Sequence, residues 1–504
     1  MAKIFIDNTM HEVADGQNLL QACLSLGYDV PYFCWHPAMH SVGACRQCAV
    51  KIFKDKDDAH GKIEMACMTP VRDGMRLSID DPDAVEFRKT VIEWLMANHP
   101  HDCPVCDEGG ECHLQDMTVM AGQTYRRFRF KKRTHENQNL GPFVTHEMNR
   151  CIQCYRCVRF YRDFAGGRDL EVLGWHDGVY FGRHADGTLE SEFAGNLVEI
   201  CPTGVFTDKT LASHYTRKWD LQTAPSVCVH CGLGCNTIPG ERYGQLRRVH
   251  NRFNPEVNGY FLCDRGRYGY EFVNGERIRD VQISPLARDA NENCNDVGAT
   301  TRAASVSASG TPAGGNAKPK TATDLNHITS TAACRLAELV AAGAVGIGSP
   351  RASLEANYAL RTLVGPYHFF SAVPQAQAEL MSTIIDLMRT GPAKILSLRE
   401  LESADAVFIL GEDLTNVAPM ADLAVRQTLR QKALKLADEV KVDRWNTYAV
   451  RDLMQQDFSP LFIATPAPTK LDEVSAGIFR GTPDDITALG LAVQRVADIL
   501  SARV

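Results

Sequence analysis

The residues of this 504-residue chain best suited to chemistry are its cysteines, and they are not scattered. Of 18, sixteen fall at or before position 263, most of them two or three residues apart. Thiols at that spacing can share one metal centre. Residues 1–7 read as a strand rather than a secretory leader, so metal ligation is expected in place of disulfides.

The first set is Cys34, Cys45, Cys48 and Cys67. Gly43 and Ala44 stand before Cys45, where small side chains let backbone N–H groups approach sulfides and offset their negative charge. The four together have the pattern of a plant-type [2Fe–2S] ferredoxin with a lengthened first gap. The Cys45–Cys48 pair alone would also suit structural zinc. Cys23 lies with Leu19, Leu20 and Leu24 on the apolar face of a helix and belongs to the core.

His99 opens the second set, followed by Cys103, Cys106 and Cys112, with Gly109 and Gly110 in the last gap. Three thiolates leave a [4Fe–4S] cluster one ligand short, and an imidazole can complete it. Neutral nitrogen donates less charge than sulfur, so the potential should exceed that of an all-cysteine site. Spacing alone also admits a zinc site of three cysteines and one histidine.

Cys151, Cys154 and Cys157 open a bacterial ferredoxin motif whose fourth position is Tyr161. Cys201-Pro202 ends a second motif whose other positions are Ser191, Ala194 and Leu197. In two-cluster ferredoxins the fourth cysteine of each run serves the other cluster. Cys151, Cys154, Cys157 and Cys201 therefore complete one [4Fe–4S] site, and its twin has lost every ligand. A fourth set, Cys228, Cys231, Cys235 and Cys263, again suits [4Fe–4S], with zinc as the competitor. Arg265 and Arg267 should place cationic groups beside it.

These groups need elements to hold them. Lys3–Asp7 and Met10–Val13 read as a hairpin about Asn8-Thr9. A helix capped by Asp15 should follow over 18–24 and end at Gly27. A second helix is expected over 82–98, stopping near His99-Pro100, with Arg88 laying its stem along a face of Val85, Ile92 and Leu95. The basic run 126–133 suggests a docking surface or solvated strand more than a nucleic-acid grip.

Beyond residue 286 the composition shifts to small and polar residues, predicting a linker or insertion over 287–326 that holds Cys294. An α/β rhythm then begins: strand 344–347, helix 350–363 with Cys334 upstream, strand 406–410, helix 421–429 and strand 461–464. Gly346-x-Gly348 lacks the third glycine of a dinucleotide fingerprint, so a structural domain is favoured over nucleotide binding.

Together these motifs resemble the large iron–sulfur subunit family (the G subunits) of bacterial NADH–quinone oxidoreductase, respiratory complex I. The likeness is closest over 1–275, and the histidine-led set between the [2Fe–2S] pattern and the Cys151 group is its most specific feature. It implies a multidomain α+β fold. A β-grasp [2Fe–2S] ferredoxin-like domain spans 1–80, a histidine/cysteine [4Fe–4S] domain 81–133 and a ferredoxin-like [4Fe–4S] domain 134–220. A molybdopterin-oxidoreductase-type [4Fe–4S] domain covers 221–286, and a partial α/β molybdopterin-oxidoreductase-like domain covers 327–504. The stretch around Pro366–Ser371 contains no cysteine, so no molybdenum site is expected.

The resemblance further implies electron transfer from a flavin- and NADH-binding subunit, among other peripheral complex I subunits, toward quinone. Electrons should pass through the His99 and Cys151 clusters, with the Cys34 cluster as a side branch or buffer and the Cys228 cluster off the main route. The chain should sit peripherally on the cytoplasmic side of the inner membrane, joined to the membrane arm through the complex. Formate dehydrogenase or hydrogenase electron-transfer modules are the rival reading, and a zinc-bearing structural protein is the remote one. Molybdopterin would mark the first rival, and a colourless protein the second. A net charge of -7 gives no reason to expect nucleic acid.

Overall fold

The computed structural model describes residues 1–276, 322–391 and 394–501. It forms two compact units, one of residues 1–271 with 396–504 and one of residues 272–395.

The first unit opens with a five-stranded sheet in the order β2-β1-β5-β3-β4. Its strands are β1 (Ala2–Ile6), β2 (Thr9–Val13), β3 (Ala49–Phe53), β4 (Lys62–Met65) and β5 (Arg76–Ser78). Thr9 pairs with Ile6, so the hairpin turns on Asp7 and Asn8, at φ 46° and 69°, one residue earlier than expected. Period-two alternation sends Ala2, Ile4 and Ile6 inward. Helix α1 (Leu19–Ser25) packs Leu19, Leu20, Ala22 and Cys23 onto them. Its cap is Asn18 rather than Asp15. Asn18 Oδ1 accepts from Gln21 N at 3.2 Å, while its amide donates to Cys67 O at 2.7 Å and ties the helix to a ligand loop.

Helix α2 (Pro82–Asn98) starts with an Asp81 cap and a proline in its first turn, and stops at His99 before Pro100. Arg88 does more than lay its stem along the face. Its guanidinium is buried and donates to Ala49 O at 2.9 Å and Ile79 O at 2.8 Å. The basic run 126–133 is not a strand; it folds back on α2. Arg127 pairs with the buried Glu93, and Arg126 Nη1 donates to Ala97 O at 3.2 Å.

Residues 141–208 build two small antiparallel pairs, Val144–His146 with Phe206–Asp208 and Glu171–Leu173 with Tyr180–Gly182. Between them runs a π-helical segment, Arg159–Phe164, and the core holds Phe160, Tyr161, Phe181, Phe193, Leu197 and Phe206. The long hairpin Asn236–Arg242 with Gln245–Asn251 follows. A parallel sheet of Val407–Leu410, Leu461–Ala464 and Gly477–Phe479 completes the unit, with helix Pro419–Thr428. Phe408, Leu410 and Phe462 stay exposed, so among the described residues the second face of this sheet is only partly covered.

The second unit holds helices Ala322–Ala341, Leu354–Val364 and Gln375–Thr390 and a two-residue parallel pair, Gly346–Ile347 with Phe369–Phe370. The expected strand at 344–347 is therefore shorter. The expected helix start at 350 moves to Leu354, where Ser353 caps by accepting from Ala356 N. The predicted linker lies outside the described residues except for 322–326, which are helical, and Cys294 lies outside them too. Among the described residues no helix is long and apolar enough to cross a membrane.

Candidate iron–sulfur sites

Cys34, Cys45, Cys48 and Cys67 come together in the N-terminal domain, none more than 7% exposed. Gly43 (φ 68°) and Arg46 (φ 61°) take left-handed backbone and curl the loop around Cys45 and Cys48. Cys34 N donates to Cys45 Sγ at 3.5 Å, and Cys67 N to Cys48 Sγ at 3.4 Å. Hydrogen bonding to the Cys34 sulfur holds Cys45 and Cys67 well above the ordinary thiol range, with Cys48 and burial adding at Cys67 and burial at Cys45, while the same bonds pull Cys34 down. Thiolates gathered this closely need a cation to offset their charge, which bound iron would supply.

His99, Cys103, Cys106 and Cys112 line one cavity of about 200 Å³, with Gly109 and Gly204 among its walls. His99 Nδ1 is buried without a hydrogen-bond partner, as a group awaiting a ligand would be. Burial lowers His99 to about 4 and raises Cys112 to about 11. The imidazole is therefore neutral at pH 7, the form that ligates. A Cβ on Gly204 would collide with Cys106 Sγ, so glycine alone leaves that sulfur its place. Lys132 Nζ donates to His99 O and anchors the residue where α2 ends.

Cys151, Cys154, Cys157 and Cys201 line a third pocket with Phe181, Pro202 and Thr203. Gln153 (φ 53°) and Tyr155 (φ 62°) adopt left-handed backbone, and Gln153 N donates to Cys151 Sγ at 3.3 Å. Burial pushes Cys154 up to about 12 and Cys151 and Cys157 upward as well.

The twin positions share one core too. Tyr161, Ala194 and Leu197 belong to the same buried cluster, and Tyr161 Oη accepts from Ser191 N at 3.1 Å. The phenol donates to Asp169 Oδ1 at 2.5 Å, and its ring lies so close to Gly167 that a Cβ there would overlap it.

Cys228, Cys231, Cys235 and Cys263 line a fourth pocket with Arg265 and Gly266. Gly266 N donates to Cys263 Sγ at 3.4 Å, and a Cβ on Gly266 would stand 3.3 Å from Cys228 Sγ. Of the two expected cations, Arg265 is at the site and Arg267 is not. Arg267 turns inward to pair with Glu199 and donates to Asn196 Oδ1 at 3.2 Å, because its own fully buried guanidinium demands a counter-charge.

Three sets adjoin. Cys154 and Ile152 share a core with Cys34, Cys45 and Cys67. On the other side Cys112 Sγ lies 3.9 Å from Pro202 O, and Leu114 N donates to the same oxygen at 3.3 Å. The Cys151 set thus adjoins both others, and the Cys34 and Cys112 segments also meet, with His113 Nε2 2.7 Å from Tyr32 O. The fourth set is reached through the twin positions, since Gly195 N donates to Asp264 Oδ1 at 2.7 Å and Leu262 N to Asn196 Oδ1 at 3.0 Å. Among the described residues no three His, Cys, Asp or Glu side chains converge on a single-ion site. The fit to clusters rests on the linings, the N–H donors and the glycine cradles.

Sequence reasoning passed over two arginines, Arg150 immediately before the Cys151–Cys157 run and Arg159 two residues after it.

Comparison with known proteins gives four domain matches. Residues 1–82 match a 2Fe-2S iron-sulfur cluster binding domain, and 88–127 the NADH-ubiquinone oxidoreductase-G iron-sulfur binding region. Residues 141–207 match the NADH-quinone oxidoreductase subunit 3 ferredoxin-like domain, and 221–275 the molybdopterin oxidoreductase Fe4S4 domain. The chain is 53% identical to the NADH-quinone oxidoreductase G subunit of Pseudomonas fluorescens over 500 residues, 99% of this chain and 51% of that one. The G subunits of Shewanella oneidensis (53%) and Escherichia coli K12 (51%) match with the same coverage, 99% and 51%. The chain spans about half the length of these curated relatives. A solved chain of an NAD+-reducing [NiFe]-hydrogenase in the H2-reduced state aligns with TM-score 0.37 and 27% identity, over 41% of this chain and 87% of that one.

Proposed function

This chain belongs, over the half of their length that it spans, to the family of NADH-quinone oxidoreductase G subunits, and from that premise we propose that it is the electron relay of such an enzyme. Cys34, Cys45, Cys48 and Cys67 hold one [2Fe–2S] cluster. [4Fe–4S] clusters take His99 with Cys103, Cys106 and Cys112; Cys151, Cys154 and Cys157 with Cys201; and Cys228, Cys231 and Cys235 with Cys263. Bound clusters supply one-electron acceptors and donors. The chain supplies position and potential: N–H groups aimed at sulfur, glycines that admit the ligand atoms, and low-polarity walls that exclude water.

The observation that carries this reading is the contact of three ligand sets, a row in which the Cys151 set touches both of the others. It favours the Cys34 site as an in-line member, in place of the expected side branch. The twin positions, filled by Tyr161 and its neighbours, stand between the row and the Cys228 set. A flavin- and NADH-binding subunit would feed the row, and further peripheral subunits would carry electrons on to quinone at the membrane arm. The chain would then lie peripherally on the cytoplasmic face of the inner membrane.

The histidine offers the sharpest test. In His99→Cys a thiolate replaces a neutral nitrogen and adds negative charge, so the cluster should persist at a lower midpoint potential. Redox titration followed by electron paramagnetic resonance reads this directly. A [4Fe–4S] signal whose potential does not move would show that His99 is not a ligand.

A further inference from the structure

One guanidinium stands at the seam between the Cys34 and Cys151 sets. Arg159 follows Cys157 by two residues, at the start of the π-helical segment. Its Nη1 donates to Cys34 O at 2.7 Å, and its Nη2 to Met39 O at 2.5 Å, His40 O at 2.9 Å and Thr447 Oγ1 at 3.2 Å. It is 8% exposed, and all four acceptors are uncharged. Asp163, the carboxylate that acts on it through space, is itself paired with Arg162 at 2.9 Å and Arg451 at 3.2 Å. Among the described residues no carboxylate pairs with Arg159.

The opposite seam is built differently. Arg150 lies between the Cys151 and His99 sets, where Nη1 donates to Gly204 O at 3.2 Å. Its charge is neutralised by Asp102, with Nη2 at 2.7 Å and Nε at 3.1 Å from Oδ2. Of the two arginines that pin the row together, Arg159 alone has no carboxylate in contact with it among the described residues.

A buried positive charge is poorly screened by solvent, and each reduction adds one negative charge to a cluster beside it. Resting on the reading of the ligand sets given above, we propose that Arg159 is a positioning residue with a second task. It clamps the Cys34 loop to the Cys151 domain, and its fixed charge raises the potentials of the two clusters it separates. The guanidinium neither gains nor loses a proton in this role, and its charge does not vary with working pH.

The test is a redox titration, followed by electron paramagnetic resonance, of the full chain in its assembled complex. It compares wild type with Arg159→Gln and Arg159→Lys. In Arg159→Gln both neighbouring clusters should be harder to reduce. At a fixed ambient potential the ratio of reduced to oxidised cluster should fall about tenfold at each, which is about 59 mV for a one-electron couple. Lysine keeps the charge and loses the fork, so its ratios should lie nearer wild type than those of glutamine. The Cys228 signal should hold its potential in both variants.

If glutamine costs a signal outright while lysine retains both near their wild-type potentials, the charge assignment stands. It is overturned if Arg159→Gln keeps both clusters at unchanged ratios, if the [2Fe–2S] centre alone shifts, or if the two variants lose signals equally. Absence of these signals from wild type would instead sink the reading of the ligand sets.

Discussion

Between Cys151 and Cys201 the chain carries two quartets of positions laid out on one plan, one of thiols and one of Tyr161, Ser191, Ala194 and Leu197. In the first, backbone is bent into left-handed conformations at Gln153 and Tyr155 and an N–H is aimed at sulfur. Its buried thiols are pushed upward and need a metal to hold them as thiolates. In the second, a phenol takes over the cross-linking. Tyr161 joins Ser191 N to Asp169, and Asp169 in turn accepts from Glu190 N at 3.1 Å and pairs with Arg183. A cluster would tie the 151–157 run to Cys201 by coordination. Its replacement ties the same region by side-chain volume and hydrogen bonds, and so should not depend on iron.

The largest effect expected from this contrast is at Cys201. Cys201→Ala leaves the Cys151 set with three ligands, so one [4Fe–4S] signal and its four irons should go while the other three clusters persist. Iron analysis with electron paramagnetic resonance reads the outcome. Loss of the Cys228 signal instead would break the pairing of Cys201 with the distant run, and with it the identity of the vacated positions.

Iron removal tests the two quartets against each other in one sample. After anaerobic chelation, amide exchange around 151–157 should quicken by at least about tenfold, because folding free energy stored in ligation is lost there. Exchange around 191–197 should change far less. Equal deprotection of both would mean that the Tyr161 network leans on the neighbouring cluster and is no substitute for one.

The same contrast shows what the sequence could and could not reveal. The groups of cysteines that the structure brings together were readable because coordination imposes type and spacing over a few residues, and the twin positions because they obey the same count. The end of helix α2 was readable from its His-Pro stop, whereas the Asp81 cap emerged only in the structure. Contacts between distant segments were not. Arg159 meets Cys34 O across 125 residues, and Arg267 leaves the Cys228 site for Glu199 across 68. The cap of α1 falls to Asn18 over Asp15 because Asn18 also serves Cys67 O, a partner that local pattern cannot supply. Strands 407–410 and 461–464 look buried on both faces by composition, yet burial depends on which layers lie against them.

The finest expected effect is at the Tyr161 hydroxyl. In Tyr161→Phe the ring still fills the vacated position, and Asp169 keeps Arg183 and Glu190 N, but the buried Ser191 N–H loses its acceptor. An unpaired buried donor costs about 1–3 kcal/mol, so unfolding at neutral pH should show a loss in that range with the Cys151 spectrum unaltered. Burial, reinforced by Asp169, holds the Tyr161 phenol above its ordinary range, so the folded state favours the protonated form. That contribution is complete below the unfolded tyrosine value of about 10 and declines as pH rises toward the higher folded value. Phenylalanine has no proton to lose. The stability gap between wild type and variant should therefore narrow above about pH 10. A gap that stays constant through that range would mean that the phenol does not stand in the buried, hydrogen-bonded place assigned to it.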